Sequence, residues 1–205
     1  MRLSHDIRRT LALLVGVLNA GAQSTLRAVS EIAGDSTPTV RTRDGQTVWA
    51  VNSAIPRMLE VASSLQRAAG WAQDLMGLPD EDLVGGLGRQ IKDLRDVVAG
   101  IGRTIDDGWN PQTTGLTTPS VNDWDLYVHA KQLLSKVADL VEIASGNVVG
   151  EVIWFSREAH LPAGLSANTR YIAKHIESDF LIATDAGTRH RVPRSQPHST
   201  TPIES

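Results

Sequence analysis

The chain has 205 residues, no cysteine, and 20 Lys and Arg against 23 Asp and Glu, for a formal charge of −3. The missing cysteines exclude a disulfide scaffold, a zinc finger, an iron–sulfur site and a thiol nucleophile, and the charge excludes a chain that is basic throughout, though not local basic patches. With 41% hydrophobic and 21% charged residues the composition is globular, and the length suits one domain or two small ones.

The first thirty residues admit two readings. Arg8–Arg9, the apolar run from Leu11 to Leu18 and the small residues Ala20–Gly21–Ala22 have the parts of a secretory signal cleaved after Ala22, with an arginine pair as in twin-arginine export. Against this, Ile7, Leu11, Leu14, Leu18, Ala22, Thr25, Val29 and Ile32 recur at alternating spacings of three and four, well past that point. Asp6 and Asn19 interrupt the basic and apolar parts, and the run is too short to span a bilayer. The periodicity predicts one long helix from a Ser4 cap to Gly34, in a cytoplasmic protein.

Val40 to Trp49 flanks Asp44–Gly45, a dipeptide that tolerates the positive φ of a tight turn, which predicts a β-hairpin over 39–50 with Arg41 and Arg43 on one face. A second helix is expected from an Asn52 or Ser53 cap, with Pro56 in its first turn and Ile55, Leu59, Ala62, Leu65, Ala69, Ala72 and Met76 as its apolar line. Gly77 and Pro79 end it. Asp80, Glu81 and Asp82 open a third helix, where carboxylates complement the exposed amide dipoles. Its seam is Val84, Leu87, Ile91, Leu94, Val98, Ile101 and Ile105, a 3.5-residue period that calls for a long helical partner. Glycines at 85, 86, 88, 100 and 102 weaken this helix, so close packing is expected to offset them.

Residues 108–122 read as a long polar loop. Asp123 caps a fourth helix through Tyr127, Leu134, Val137 and Val141 to Gly146. Beyond it, Val148–Phe155 reads as a strand, Ala167–Ile176 as a short helix and Phe180–Ala183 as a strand, followed by a Pro-, Ser-, Thr- and Arg-rich tail. The expected fold is therefore mainly α: a helical bundle with hairpin over 1–147, a small strand–helix–strand appendage over 148–187, and a disordered tail over 188–205.

Little in the chain resembles catalytic chemistry. The six histidines stand in no metal-ligand spacing, and neither His-Glu-x-x-His nor Gly-x-Ser-x-Gly occurs. Gly85-Gly86-Leu87-Gly88-Arg89 lacks the Gly-Lys-Ser/Thr ending of a phosphate loop and lies within a helical seam. No enzyme activity, cofactor or metal is expected. The cations are more informative: Arg89 and Lys92 lie three apart off the seam of the third helix, Arg170 and Lys174 lie four apart near the C-terminus, and Arg41 and Arg43 project from the hairpin. Such groups can track phosphates on RNA or DNA with little sequence preference. Interspersed Asp93, Asp96 and Glu177 also suit ordinary solvated faces.

Glu151-Val152-Ile153-Trp154-Phe155-Ser156-Arg157, after a helical region, resembles the strand that closes the helical arch of DinG-type helicases. Ala167–Ile172 is similar to that family's next short helical stretch, and Asp179–Thr184 to the apolar strand before a motor motif. Walker A and Asp-Glu-Ala-His motifs are missing, so the resemblance, over 55–187, implies an arch without its motor. DinG-like helicases accompany type IV CRISPR systems, whose class 1 effector complexes use small helical, non-enzymatic subunits repeated beside the guide–target nucleic acid. The resemblance thus implies a non-catalytic subunit of a nucleoprotein assembly, self-associating and touching RNA or DNA through Arg41, Arg43, Arg89, Lys92, Arg170 and Lys174, without a membrane. The alternatives are a protein-only interaction or scaffold module, such as an adaptor or phage structural protein, and an exported protein with a cleaved signal peptide.

Overall fold

The computed structural model describes residues 3–34, 46–108 and 120–203. Among them the fold is mixed α/β: helices α1 (Leu3–Gly34), α2 (Gln46–Met76), α3 (Asp80–Gly85), α4 (Leu87–Gly108) and α5 (Ser120–Ala144), then strands β1 (Gly150–Phe155), β2 (Arg170–Ile176), β3 (Asp179–Ala183), β4 (Arg189–Pro193) and β5 (His198–Ser199). The chain divides into two compact units. One comprises Met1–Leu11, Leu78–Lys92 and Gln132–Ser205, the other Ala12–Gly77 and Asp93–Lys131.

The second unit is helical. Its core takes Leu14, Leu18 and Ala22 of α1, Leu65, Ala69 and Ala72 of α2, Leu94, Val98, Ile101 and Ile105 of α4, and Tyr127 and Ala130 of α5, all buried. The period-3.5 pattern of α4 is therefore realised as burial. In α2 Ala62, Leu65, Ala69 and Ala72 of the expected line are buried, but so are Met58, Val61, Ala68 and Leu75, whereas Leu59 stays 45% exposed. Of the glycines at 85, 86, 88, 100 and 102, close approach explains Gly102 alone. A Cβ at Gly102 would lie 2.1 Å from the Tyr127 ring, whereas at Gly70 it would meet nothing within 4 Å.

Several expectations need correction. Gln46–Ala50, the expected second arm of the hairpin, forms the first turns of α2, and Pro56 lies inside that helix. A short apolar run fits either period, and helix propagating from the strong segment downstream wins. Arg41, Arg43 and most of the hairpin lie outside the described residues, as does most of the 108–122 loop. The expected third helix is two, because the chain breaks at Gly86, whose N–H donates to the Asp82 carbonyl at 3.0 Å.

The larger correction concerns the first unit. Ala167–Ile176 is not a helix, since residues 170–176 form β2; nor is 188–205 without order, because β4 and β5 lie in it. The sheet order is β4-β3-β2-β1-β5, with every neighbouring pair antiparallel. A long loop joins β1 to β2, two short hairpins join β2, β3 and β4, and β5 returns to the edge beside β1. The sheet is rolled. In a flat sheet β3 and β5, three positions apart, would be separated by roughly 14 Å, yet the rings of Phe180 and His198 are 4.9 Å apart. Inside the roll, Ile153, Phe155, Leu165, Ala173, Phe180, Ile182 and Val192 form one buried cluster. Alternation decides the tail: in Arg189-His190-Arg191-Val192-Pro193 only Val192 is fully buried, opposite Phe180, and a single inward apolar residue is too weak a pattern to read from sequence.

Candidate functional site

The outer face of the sheet carries Arg170, Ile172 and Lys174 of β2 and Leu181 and Ala183 of β3. These line a cleft of about 540 Å3 together with Asp6, Arg9 and Thr10 of α1 and Lys136, Asp139, Leu140 and Ile143 of α5, all within the first unit. Strand alternation puts Arg170 and Lys174 on the same side, four residues apart, so the two cations converge here although the segment is a strand and not the expected helix.

The cleft is organised by charge pairs. Arg170 makes a two-pronged contact, its Nη1 and Nη2 donating to Asp6 Oδ1 and Oδ2 at 3.1 and 3.3 Å. Lys174 Nζ donates to Glu142 and lies 3.8 Å from Asp139 Oδ1, and Arg189 Nη2 donates to Asp139 Oδ2 at 2.7 Å. At the other end, Asp185 bridges two cations: Oδ2 accepts from Arg9 Nη2 at 2.5 Å and Oδ1 from Lys136 Nζ at 2.7 Å. Five cations thus meet four carboxylates, and the unmatched positive charge belongs to the Arg9–Lys136–Asp185 group.

Asp139, largely buried, and Asp185, half exposed, respond differently to this field. Burial pushes the Asp139 carboxyl above the ordinary 3.8, and Arg189 and Lys174 only partly reverse it. Burial also pushes Asp185 upward, but the hydrogen bond and charge of Lys136, reinforced by Arg9, carry it below 3.8. The turn holding Asp185 is fixed at its backbone. Thr184 N–H donates to the Thr188 carbonyl, and Gly187 N–H to that of Thr184, both at 2.9 Å. Gly187 has φ +79° and packs so closely on α5 that a Cβ there would stand 2.6 Å from Gln132.

Of the residues expected to touch nucleic acid, Arg170 and Lys174 lie in this cleft in ion pairs. Arg89 and Lys92 are exposed on α4, in no hydrogen bond or ion pair among the described residues. Arg41 and Arg43 lie outside the description. Sequence reasoning did not find Arg9, Lys136, Asp6, Asp139 or Asp185. Arg9 draws notice in the sequence only as half of the arginine pair of the less favoured export-signal reading, and its partner lies 176 positions away. The only local hint is Asp139 and Glu142 following Lys136 at three-residue steps on one helix face.

Among the described residues, no three or more His, Asp or Glu are grouped to hold a metal ion, and no helix is long and apolar enough to cross a membrane. Comparison of the chain with protein-family models, curated proteins and solved structures finds no match.

Proposed function

We propose that the chain is a non-catalytic subunit of a nucleoprotein assembly, one that touches the phosphates of RNA or DNA and packs against neighbouring subunits or further copies of itself. The observation that carries this reading is the excess of cations over carboxylates at the cleft. The exposed Arg89 and Lys92 would add contacts along a strand. The finer assignment, the small subunit of a class 1, type IV CRISPR effector complex in the cytoplasm, rests on the resemblance to the DinG-type arch. Its segments at 151–155 and 179–183 fall on strands β1 and β3, whereas the stretch matched to a short helix enters β2.

The test is binding of labelled single-stranded RNA and DNA by the full chain, titrated between about 50 and 200 mM salt. Binding should weaken linearly on a logarithmic salt scale, and the exposed double variant R89A/K92A should flatten that slope by about two phosphate contacts. Absence of binding to either polymer at the lowest salt would refute the reading. A protein-only interaction module is favoured by one observation: every cation of the cleft already holds a carboxylate. Retention of a protein partner after nuclease treatment, with no affinity for either polymer, would establish it instead.

A further inference from the structure

We infer that the Arg9–Lys136 end of the cleft receives a terminal phosphate monoester of nucleic acid, and that the Asp185 carboxylate holds the same place until it is displaced. The inference rests on the nucleic-acid reading above and adds which phosphate is read. Three features of this end of the cleft support it.

The first is stoichiometry of charge. Two cations surround one carboxylate, so the group keeps one unmatched positive charge. Exchanging Asp185 for a phosphate monoester, whose second ionisation lies near pH 6, would bring close to two negative charges to two cations. An internal phosphodiester carries a single charge and would only repeat what Asp185 already does.

The second is donor capacity. Arg9 has five N–H donors and Lys136 three, and each spends one on Asp185. Thr10 and Thr184 do not compete, because their hydroxyls donate to the carbonyls of Asp6 and Thr188. Lys136, 13% exposed, forms the floor of the site, while Arg9, 58% exposed, stands at its rim, so an incoming group meets the guanidinium first.

The third is that displacement asks little of the protein. The Asp185 side chain is half exposed, and its turn is anchored through Gly187 and two backbone hydrogen bonds. A rotation of one side chain vacates the site without moving the strand ends. The carboxyl of Asp185, held below the ordinary 3.8 by Lys136 and Arg9, reports the same positive field that would hold the phosphate.

The test compares the full chain's affinity for three otherwise identical oligonucleotides: one with a 5′ phosphate, one with a 3′ phosphate and one with neither. One phosphorylated form should bind about tenfold more tightly than the unphosphorylated one, the worth of a charge-assisted hydrogen bond. K136Q and R9Q should bring that ratio toward one, and D185N should raise it several-fold, a gain that misfolding cannot imitate. Equal affinity for all three in the native chain and in D185N would overturn the inference while leaving the nucleic-acid reading intact. Failure of all three to bind would overturn both, and a phosphate preference lowered by D185N would overturn the displacement by showing that Asp185 helps hold the ligand.

Discussion

Gly102 and Gly70 are both glycines inside long helices of the helical unit, and alanine should stabilise the chain at Gly70 but not at Gly102. In α2, a methyl at Gly70 meets nothing within 4 Å, so the variant gains the intrinsic helix preference of alanine, worth up to about 1 kcal/mol. In α4, a methyl at Gly102 would come within 2.1 Å of both Cζ and Oη of Tyr127 and 2.8 Å of Cε1. The ring must retreat until these contacts reach at least 3.4 Å, and the void beside it, lined also by Leu18, Leu65 and Ile105, holds only about 10 Å3. Overpacking of this kind costs about 1–3 kcal/mol, which cancels or exceeds the same helix-propensity gain. The two variants should therefore differ by about 1–3 kcal/mol, or roughly 2–4 °C in Tm for each kcal/mol. Thermal unfolding followed by circular dichroism at 222 nm measures the difference. A G102A melting temperature equal to or above that of G70A would refute the packing of α4 on Tyr127.

Three further outcomes follow from the first unit. In acid, Asp185 and Asp139 should act in opposite directions. Asp185, whose pKa in the fold lies below 3.8, contributes stability that is present above that pH and lost as pH falls further, so D185N should flatten the decline below pH 3.8. Asp139, raised above 3.8, favours the fold while protonated and loses that contribution as pH rises from 3.8, so D139N should remove a fall in stability on that side; urea titrations across pH 2–6 check both signs. G187A combines an unfavourable φ with a 2.6 Å approach to Gln132 and should destabilise the chain by about 1–3 kcal/mol, measured by denaturant unfolding. F180A removes a fully buried ring in contact with Phe155 and His198 and should cost about 3–5 kcal/mol, with protection of the β1–β3 amides lost in hydrogen exchange.

The helices were legible because their signal is local and repeated. Leu87, Ile91, Leu94, Val98, Ile101 and Ile105 state the same face six times, and all six are buried. The rolled sheet was legible only in part. Val152–Phe155 and Phe180–Ala183 are apolar enough to announce β1 and β3, but Arg170-Tyr171-Ile172-Ala173-Lys174-His175-Ile176 offers a helix-compatible spacing of its cations as well as strand alternation. What decides for β2 is pairing with β1 and β3 on either side, which lies outside the segment itself. The cleft was not legible as a unit. Arg170 and Lys174 stood out as cations, but the carboxylates that orient them, Asp6 and Asp139, are distant in sequence and ordinary in context.

The pairing of Arg9 with Asp185 and of Asp6 with Arg170 has a consequence for how the molecule comes into being. At a synthesis rate of about 5–20 residues per second, the first turns of α1 leave the ribosome roughly 10–35 s before the hairpin that neutralises them. During that interval Arg9 is open to any anionic surface or chaperone in reach. The charged unit is stitched from three separated stretches of chain, so a fragment cut anywhere between Leu11 and Gln132 would take away one side of the cleft. Nascent chains halted before residue 170 should thus be more protease-sensitive at the start of α1 than chains released whole.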